Sequence, residues 1–212
     1  MIVTDAVSSY VASLRPNPDP VLAEMEAQAA RERIPVVAPE TGALLHVLAL
    51  ARSPRRAVEV GTAIGVSTVY IARALRRDDV LVSFEIDEAR HAAARGYLER
   101  AGMLSCVDLR LADAREGLAA LEGPFDMAFI DGVKTEYGDY LDVLLPLLGE
   151  RAVLVVDNVL MGGTVAEGRS DGRWTERQIA GARAFNERVL SLEQFEGTVT
   201  PVGDGVLVAV RG

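Results

Sequence analysis

"RAVEVGTAIGVSTVYIARALRRDDVLVSFEID", residues 56–87, decides how the chain folds. "RAVEVG" (Arg56–Gly61) is an apolar run that stops at glycine. "VSTVYIARALRR" (Val66–Arg77) spaces its apolar residues as a helix does, and "VLVSFEID" (Val80–Asp87) is a second strand-like run. The alternation then continues. "VDLRLAD" (Val107–Asp113), "FDMAFID" (Phe125–Asp131) and "RAVLVVDN" (Arg151–Asn158) read as strands. "EARHAAARGYLERAG", "AREGLAAL" and "EYGDYLDVLLPLL" read as the helices between them. A glycine-bearing stretch follows, then a last helix, "WTERQIAGARAFNERVL", and two strands, "FEGTVTPV" and "GVLVAVRG", joined through "GDG". Strands alternating with helices predict an α/β, doubly wound domain. Its seven-stranded sheet is mostly parallel, with helices on both faces and an antiparallel C-terminal hairpin. Ligands of such a domain bind at the carboxyl ends of the strands.

Working outward, "PNPDP" (Pro16–Pro20) separates a short N-terminal helix from a second one, Val21–Arg33, and "ETGALLHVLALAR" (Glu40–Arg52) has helical length. We therefore expect one domain over 1–212, with an N-terminal helical segment (1–35) and a ligand-binding core (36–212). The 212 residues are half apolar and a quarter charged, which fits a folded globule with a sizeable core. The formal net charge of -9 argues against a broad surface for nucleic acid or anionic lipid. Cys106 is the only cysteine, so an intrachain disulfide and a thiolate metal cluster are both excluded. No membrane span and no signal peptide is read, so the expected location is the cytoplasm.

The first strand turn, "EVGTAIGVST" (Glu59–Thr68), has glycines at Gly61 and Gly65. They allow a tight turn and close approach of a ligand. The spacing is neither that of a dinucleotide fingerprint nor that of a phosphate loop. Glu59 lies late in an apolar strand and so requires a polar partner. Glu85 ends the second strand, where a carboxylate accepts bonds from ribose hydroxyls. Asp113 ends the third strand and is read equally as a helix cap and as an adenine-side contact. A nucleoside across strands one to three, with a poor phosphate cradle, fits S-adenosylmethionine better than NAD.

Asp131 ends the fourth strand and Asp157-Asn158 the fifth. If these strands are neighbours, two carboxylates and an amide form an all-oxygen site suited to Mg²⁺, or to Mn²⁺ or Ca²⁺. The competing reading is ordinary turn chemistry at Asp-Gly and Asp-Asn. Lys134, three residues after Asp131, reads as either a general base or a surface lysine.

The ordered set "PETGALL", "VEVGTAIGVST", "FEID", "AFIDGVKTEY", "VVDNVLMGG" and "VGDGVLVAVRG" resembles the cation-dependent, S-adenosylmethionine-dependent O-methyltransferases of the catechol and caffeoyl-coenzyme A type, from about Val36 to Gly212. The resemblance implies a Rossmann-like methyltransferase fold. It implies cofactor contacts at Val37, Glu59, Gly61, Ser67, Glu85, Asp113, Ala114 and Asp131, metal ligands Asp131, Asp157 and Asn158, and Lys134 as general base. It further implies a vicinal-diol or catechol-like small-molecule acceptor, a loop over that acceptor at Met161–Trp174, and a homodimer. The chain departs from the family at Gly132-Val133, where many relatives carry Ala-Asp.

Two rival readings are an NAD-dependent oxidoreductase, opposed by the missing third glycine, and a non-catalytic binding protein of the same fold. His46 and His91 carry no motif and read as structural. Trp174 reads equally as an acceptor contact and as an interface aromatic, and "LLHVLALA" (Leu44–Ala51) reads as core or dimer surface.

Overall fold

The alternation of side chains along the inner strands dictates a sheet covered on both faces. Ala57, Met127 and Val155 enter one apolar core, while their neighbours Val58, Ala128 and Leu154 enter the other. The computed structural model describes residues 4–212, so the first three residues of the N-terminal segment lie outside the described residues. Its strands are β1 (Arg56–Val60), β2 (Val80–Glu85), β3 (Val107–Leu111), β4 (Phe125–Ile130), β5 (Leu148–Val156), β6 (Phe195–Thr200) and β7 (Val206–Arg211). They form one seven-stranded sheet in the order β3-β2-β1-β4-β5-β7-β6. β1 to β5 pair in parallel, and β7 pairs antiparallel with both β5 and β6. The expected fold class therefore holds.

The helices are α1 (Asp5–Ser13), α2 (Pro20–Glu32), α3 (Pro39–Arg52), α4 (Val66–Ala72), α5 (Glu88–Arg100), α6 (Ala114–Ala119), α7 (Tyr137–Leu144), α8 (Thr164–Glu167) and α9 (Glu176–Leu190). α2 starts where the sequence provides both signals of a helix start. The Asp19 carboxylate accepts from the Val21 and Leu22 N–H groups, and Pro20 takes the first position, where no N–H is required. α9 starts with a capping box, Thr175 with Gln178, in the stretch "TERQ".

Three boundaries differ from expectation by three residues or more. α4 stops at Ala72 rather than Arg77, because Asp79 accepts from the Arg76 N–H at 2.7 Å and closes a turn across the charged "RRDD" tract. α7 ends at Leu144, two residues before Pro146, whose ring cannot continue a helix. β5 begins at Leu148 rather than Arg151. A register shift opposite Phe125–Met127 and a left-handed Arg151 (φ 57°) absorb the extra residues as an irregularity in the strand.

Candidate active site

The central geometric expectation concerned the ends of the fourth and fifth strands. β4 and β5 are adjacent, with Ile130 paired to Val156. The ladder continues one step beyond this pair: the Asp131 N–H donates to Val60 O at 2.9 Å, and the Asp157 N–H donates to Ile130 O at 3.0 Å. Asp131 and Asp157 therefore occupy matching positions on strands separated by about 4.8 Å. Both line one cavity of about 670 Å³ at the carboxyl ends of β1, β2, β4 and β5, together with Asn158 and Lys134. Asn158 adopts the left-handed region (φ 59°), which asparagine tolerates better than most residues.

Charge at this edge is unbalanced. Burial pushes the Asp157 carboxyl up to about 7, with the Asp131 charge adding to it and the Asn158 N–H opposing. Burial likewise raises the Asp131 carboxyl, against the pull of the Lys134 ammonium. Lys134 Nζ donates to Asp131 Oδ1 at 2.6 Å and lies 5.3 Å from the centre of the Tyr137 ring. The Tyr137 hydroxyl donates to the Asp157 carbonyl at 3.2 Å and so anchors the end of β5. Among twenty-two basic residues in the sequence, Lys134 is the only lysine.

The neighbouring half of the cavity runs over β1, β2 and the start of α6. Gly61 has φ +93°, and a Cβ there would lie 2.3 Å from the Asp131 carbonyl oxygen. The glycine is thus required by the approach of β4 as well as by the turn. Glu59 is fully buried and does not line the cavity. It accepts from Ser67 Oγ, Thr68 Oγ1 and Ser83 Oγ, each at 2.6 Å. Burial raises its carboxyl while the three hydroxyls pull it down. The polar partner that the sequence required is therefore a hydroxyl cluster, and Glu59 serves to hold Ser67, which does reach the cavity.

Glu85 lines the cavity at the end of β2, fixed by N–H groups of Ala63 (2.8 Å), Ile86 (3.0 Å) and Asp87 (2.9 Å). Its Oε2 carries only the Ala63 bond, which leaves capacity for further donors. Asp113 caps α6 through the Arg115 N–H at 2.8 Å, as one of its two readings has it, and it lines the cavity beside Ala114. Val37 lines the opposite wall.

Several contributors were not found from sequence. "GDG" was read as a hairpin turn only. In the structure Gly205 O accepts from the Val159 N–H, Asp204 O accepts from the Leu160 N–H, and the Asp204 side chain joins the cavity wall. Arg115 pairs with Asp113 at 2.9 Å and with Glu136 at 3.2 Å, bridging the start of α6 to the segment that carries Lys134. At the departure Gly132-Val133, a Cβ on Gly132 would meet Tyr140 Cε2 and Val60 Cγ1, each at 2.9 Å, so Tyr140 fills the space that a side chain at 132 would take. Trp174 lines the cavity with its indole N–H buried and unpartnered. His46 lies 2.9 Å from the Tyr70 carbonyl and His91 lies 3.3 Å from that of Leu109, both consistent with structural roles.

The sheet order, the cavity at the carboxyl ends of the strands and the acidic edge at β4–β5 define a doubly wound α/β domain with its ligand site where such domains carry it. The family profile described as O-methyltransferase matches residues 13–212, and the chain belongs to that family. A catechol O-methyltransferase of Niastella koreensis is 32% identical over 219 residues, covering 98% of this chain and 97% of the relative. A Bacillus cereus O-methyltransferase, solved in complex with S-adenosylhomocysteine, superposes with a TM-score of 0.85 at 29% identity, covering 98% and 97% of the two chains. TomG of Streptomyces achromogenes, an O-methyltransferase of tomaymycin synthesis solved with S-adenosylmethionine, gives 0.81 at 33% identity, covering 97% and 96%.

Proposed function

We propose that the chain transfers a methyl group from S-adenosylmethionine to one hydroxyl of a small vicinal-diol or catechol-like acceptor. The observation that carries this reading is the in-register placement of Asp131 and Asp157 beside Lys134, in the same cavity as Glu85 and Ser67. Glu85 would bind the ribose, Asp113 and Ala114 would meet the adenine, and Gly61 and Ser67 would lie along the methionine moiety. Glu59 positions that wall from behind.

The fit to a divalent cation rests on the donors themselves. No group of three or more His, Cys, Asp or Glu side chains gathers as a metal site among the described residues. The proposed set is two carboxylates plus the Asn158 amide. These are hard oxygen donors, and the upward shift of both carboxyls marks a place where negative charge is poorly neutralised. Mg²⁺ is the natural occupant, with Mn²⁺ or Ca²⁺ as substitutes. When bound, the ion would act as Lewis acid and template for the two acceptor oxygens. Lys134, once its ammonium has released a proton to solvent, would receive the acceptor's proton. The oxygen then forms its bond to the methyl carbon as the carbon–sulfur bond breaks, leaving S-adenosylhomocysteine. A lysine suits that task and an arginine does not, because a guanidinium does not release its proton in a protein.

The exposed apolar residues Val7, Tyr10, Val11 and Leu14 repeat at helical spacing along α1, and Val47 and Leu50 are exposed on α3. A second copy of the chain would cover this surface, as the expected homodimer requires. No helix among the described residues is long and apolar enough to cross a membrane.

The test is a methyl-transfer assay with S-adenosylmethionine against a panel of catechols and non-aromatic vicinal diols, with and without chelator. Transfer that requires a divalent ion supports the reading. Transfer to diols that is indifferent to chelator would remove the metal, and no transfer to any diol would remove the acceptor class.

A further inference from the structure

A carboxylate offers about four lone-pair positions to donors. At Glu85 the chain itself fills three of them. Oε1 accepts from the Ile86 and Asp87 N–H groups, and Oε2 accepts from the Ala63 N–H. A single position is left, on Oε2, whereas a ribose brings two hydroxyls. With Glu85 at the ribose, one of those hydroxyls has no place on the carboxylate.

Arg90 stands beside it. Its Nη2 lies 3.2 Å from Glu85 Oε1, and the side chain lines the same cavity. The Arg90 side chain is 35% exposed, against 6% for Glu85, so a ligand in the cavity can reach it. Nε is buried without a partner, but Nη1 is neither buried nor bonded among the described residues. Arg115, the next cation along this wall, spends its guanidinium on Asp113 and Glu136. Helix stability does not call for an arginine at position 90. α5 begins at Glu88, and a cation in the first turn is of the wrong sign for the helix dipole. Asp87, whose carboxylate lies 4.0 Å from Arg90 Nε, caps the helix and does not line the cavity.

We propose that Arg90 is a cofactor-binding residue. Its Nη1 donates to the oxygen of one ribose hydroxyl, while the other hydroxyl donates to Glu85 Oε2. The ribose is thus read by an ion pair, with one partner for each hydroxyl, rather than by a carboxylate alone. The proposal rests on the reading that places the ribose of S-adenosylmethionine at Glu85, and adds to it.

The test is calorimetry of S-adenosylhomocysteine and its 2′-deoxy and 3′-deoxy analogues with wild type and Arg90→Met. Methionine is a good helix former and keeps an apolar stem at this half-buried position. Arg90→Ala is measured beside it, and thermal melts check both folds, so the outcome does not hang on one variant. Wild type is expected to bind each deoxy analogue about tenfold more weakly than the parent, the scale of one lost hydrogen bond to a charged group. In the Arg90 variants the parent should weaken about tenfold, the deficit of one analogue should vanish, and the deficit of the other should persist through Glu85. Persistence of both deficits overturns the proposal. Equal shrinkage of both also overturns it, and leaves Arg90 as a support of Glu85 only. A wild type that discriminates against a single analogue overturns it as well, because one hydroxyl is then unread. If wild type binds neither the parent nor the analogues, or binds all three equally, the placement of the ribose at Glu85 fails and the Arg90 contact falls with it.

Discussion

On the proposed reading the chemistry turns on Lys134 and Asp157, and each makes a distinct prediction. Lys134→Arg keeps the positive charge beside Asp131 but removes the releasable proton. We expect it to lose activity nearly as fully as Lys134→Ala, by the roughly 10²–10⁴ of a missing general base. Activity retained in the arginine variant would reduce Lys134 to a charge partner of Asp131. Asp157 makes a prediction about pH. Its carboxyl is pushed up to about 7 in the folded chain, chiefly by burial and then by Asp131. Between its ordinary value near ~3.9 and about 7, the folded state holds a proton that the unfolded state has released. Its ionisation therefore lowers stability as pH rises through that window. In chelator, Asp157→Asn should match wild type near pH 4 and exceed it at pH 8, by at most on the order of 4 kcal/mol. Mg²⁺ should reverse that order by stabilising only the wild type. A wild type that melts above Asp157→Asn in chelator at pH 8 would contradict the electrostatic account.

At the scale of elements, the site is a meeting of strand ends held by turns. The "GDG" turn between β6 and β7 clamps the chain just after Asn158, and Gly205 (φ +90°) leaves room for Leu160, whose Cγ would lie 2.4 Å from an added Cβ. Gly205→Ala should destabilise the fold by about 1–3 kcal/mol through backbone strain. It should also weaken divalent-ion affinity, because Asn158 loses its support. A thermal melt and an ion titration that both match wild type would refute this role. The strands, their order of use and the acidic residues at their ends were legible in the sequence because period and punctuation are local. Asp131 and Asp157 could be named from their runs, but their adjacency could not, since it depends on which strands pair. Glu59 illustrates the same limit. Its need for a partner was readable, whereas the partners on α4 and β2 belong to packing. The turn role of "GDG" was visible, but its grip on Leu160 was not. The Tyr140 ring that substitutes for a side chain at Gly132 left no local signal either.

Across the whole molecule, the N-terminal segment is tied to the helix that supports the cofactor side of the site. Arg15 donates to Glu26 at 3.0 Å and to the Tyr70 hydroxyl at 3.1 Å, and Arg73 pairs with Asp19, so α1, α2 and α4 form one cap over the first core. The exposed apolar face of α1 is the surface proposed for a second copy. Tyr10→Glu combined with Leu14→Glu should convert a dimer to a monomer in sedimentation equilibrium, with the monomer still folded. An unchanged mass would place the contact elsewhere. The proposed function as a whole requires oxygens from two strands to converge on a single ion. The most direct measurement is the anomalous difference map of a crystal soaked in Mn²⁺ with S-adenosylhomocysteine. It should show one peak bonded to Asp131, Asp157 and Asn158 at about 2.0–2.4 Å, within the range for hard cations on oxygen ligands. A map without that peak, or with the ion bound elsewhere, would contradict it.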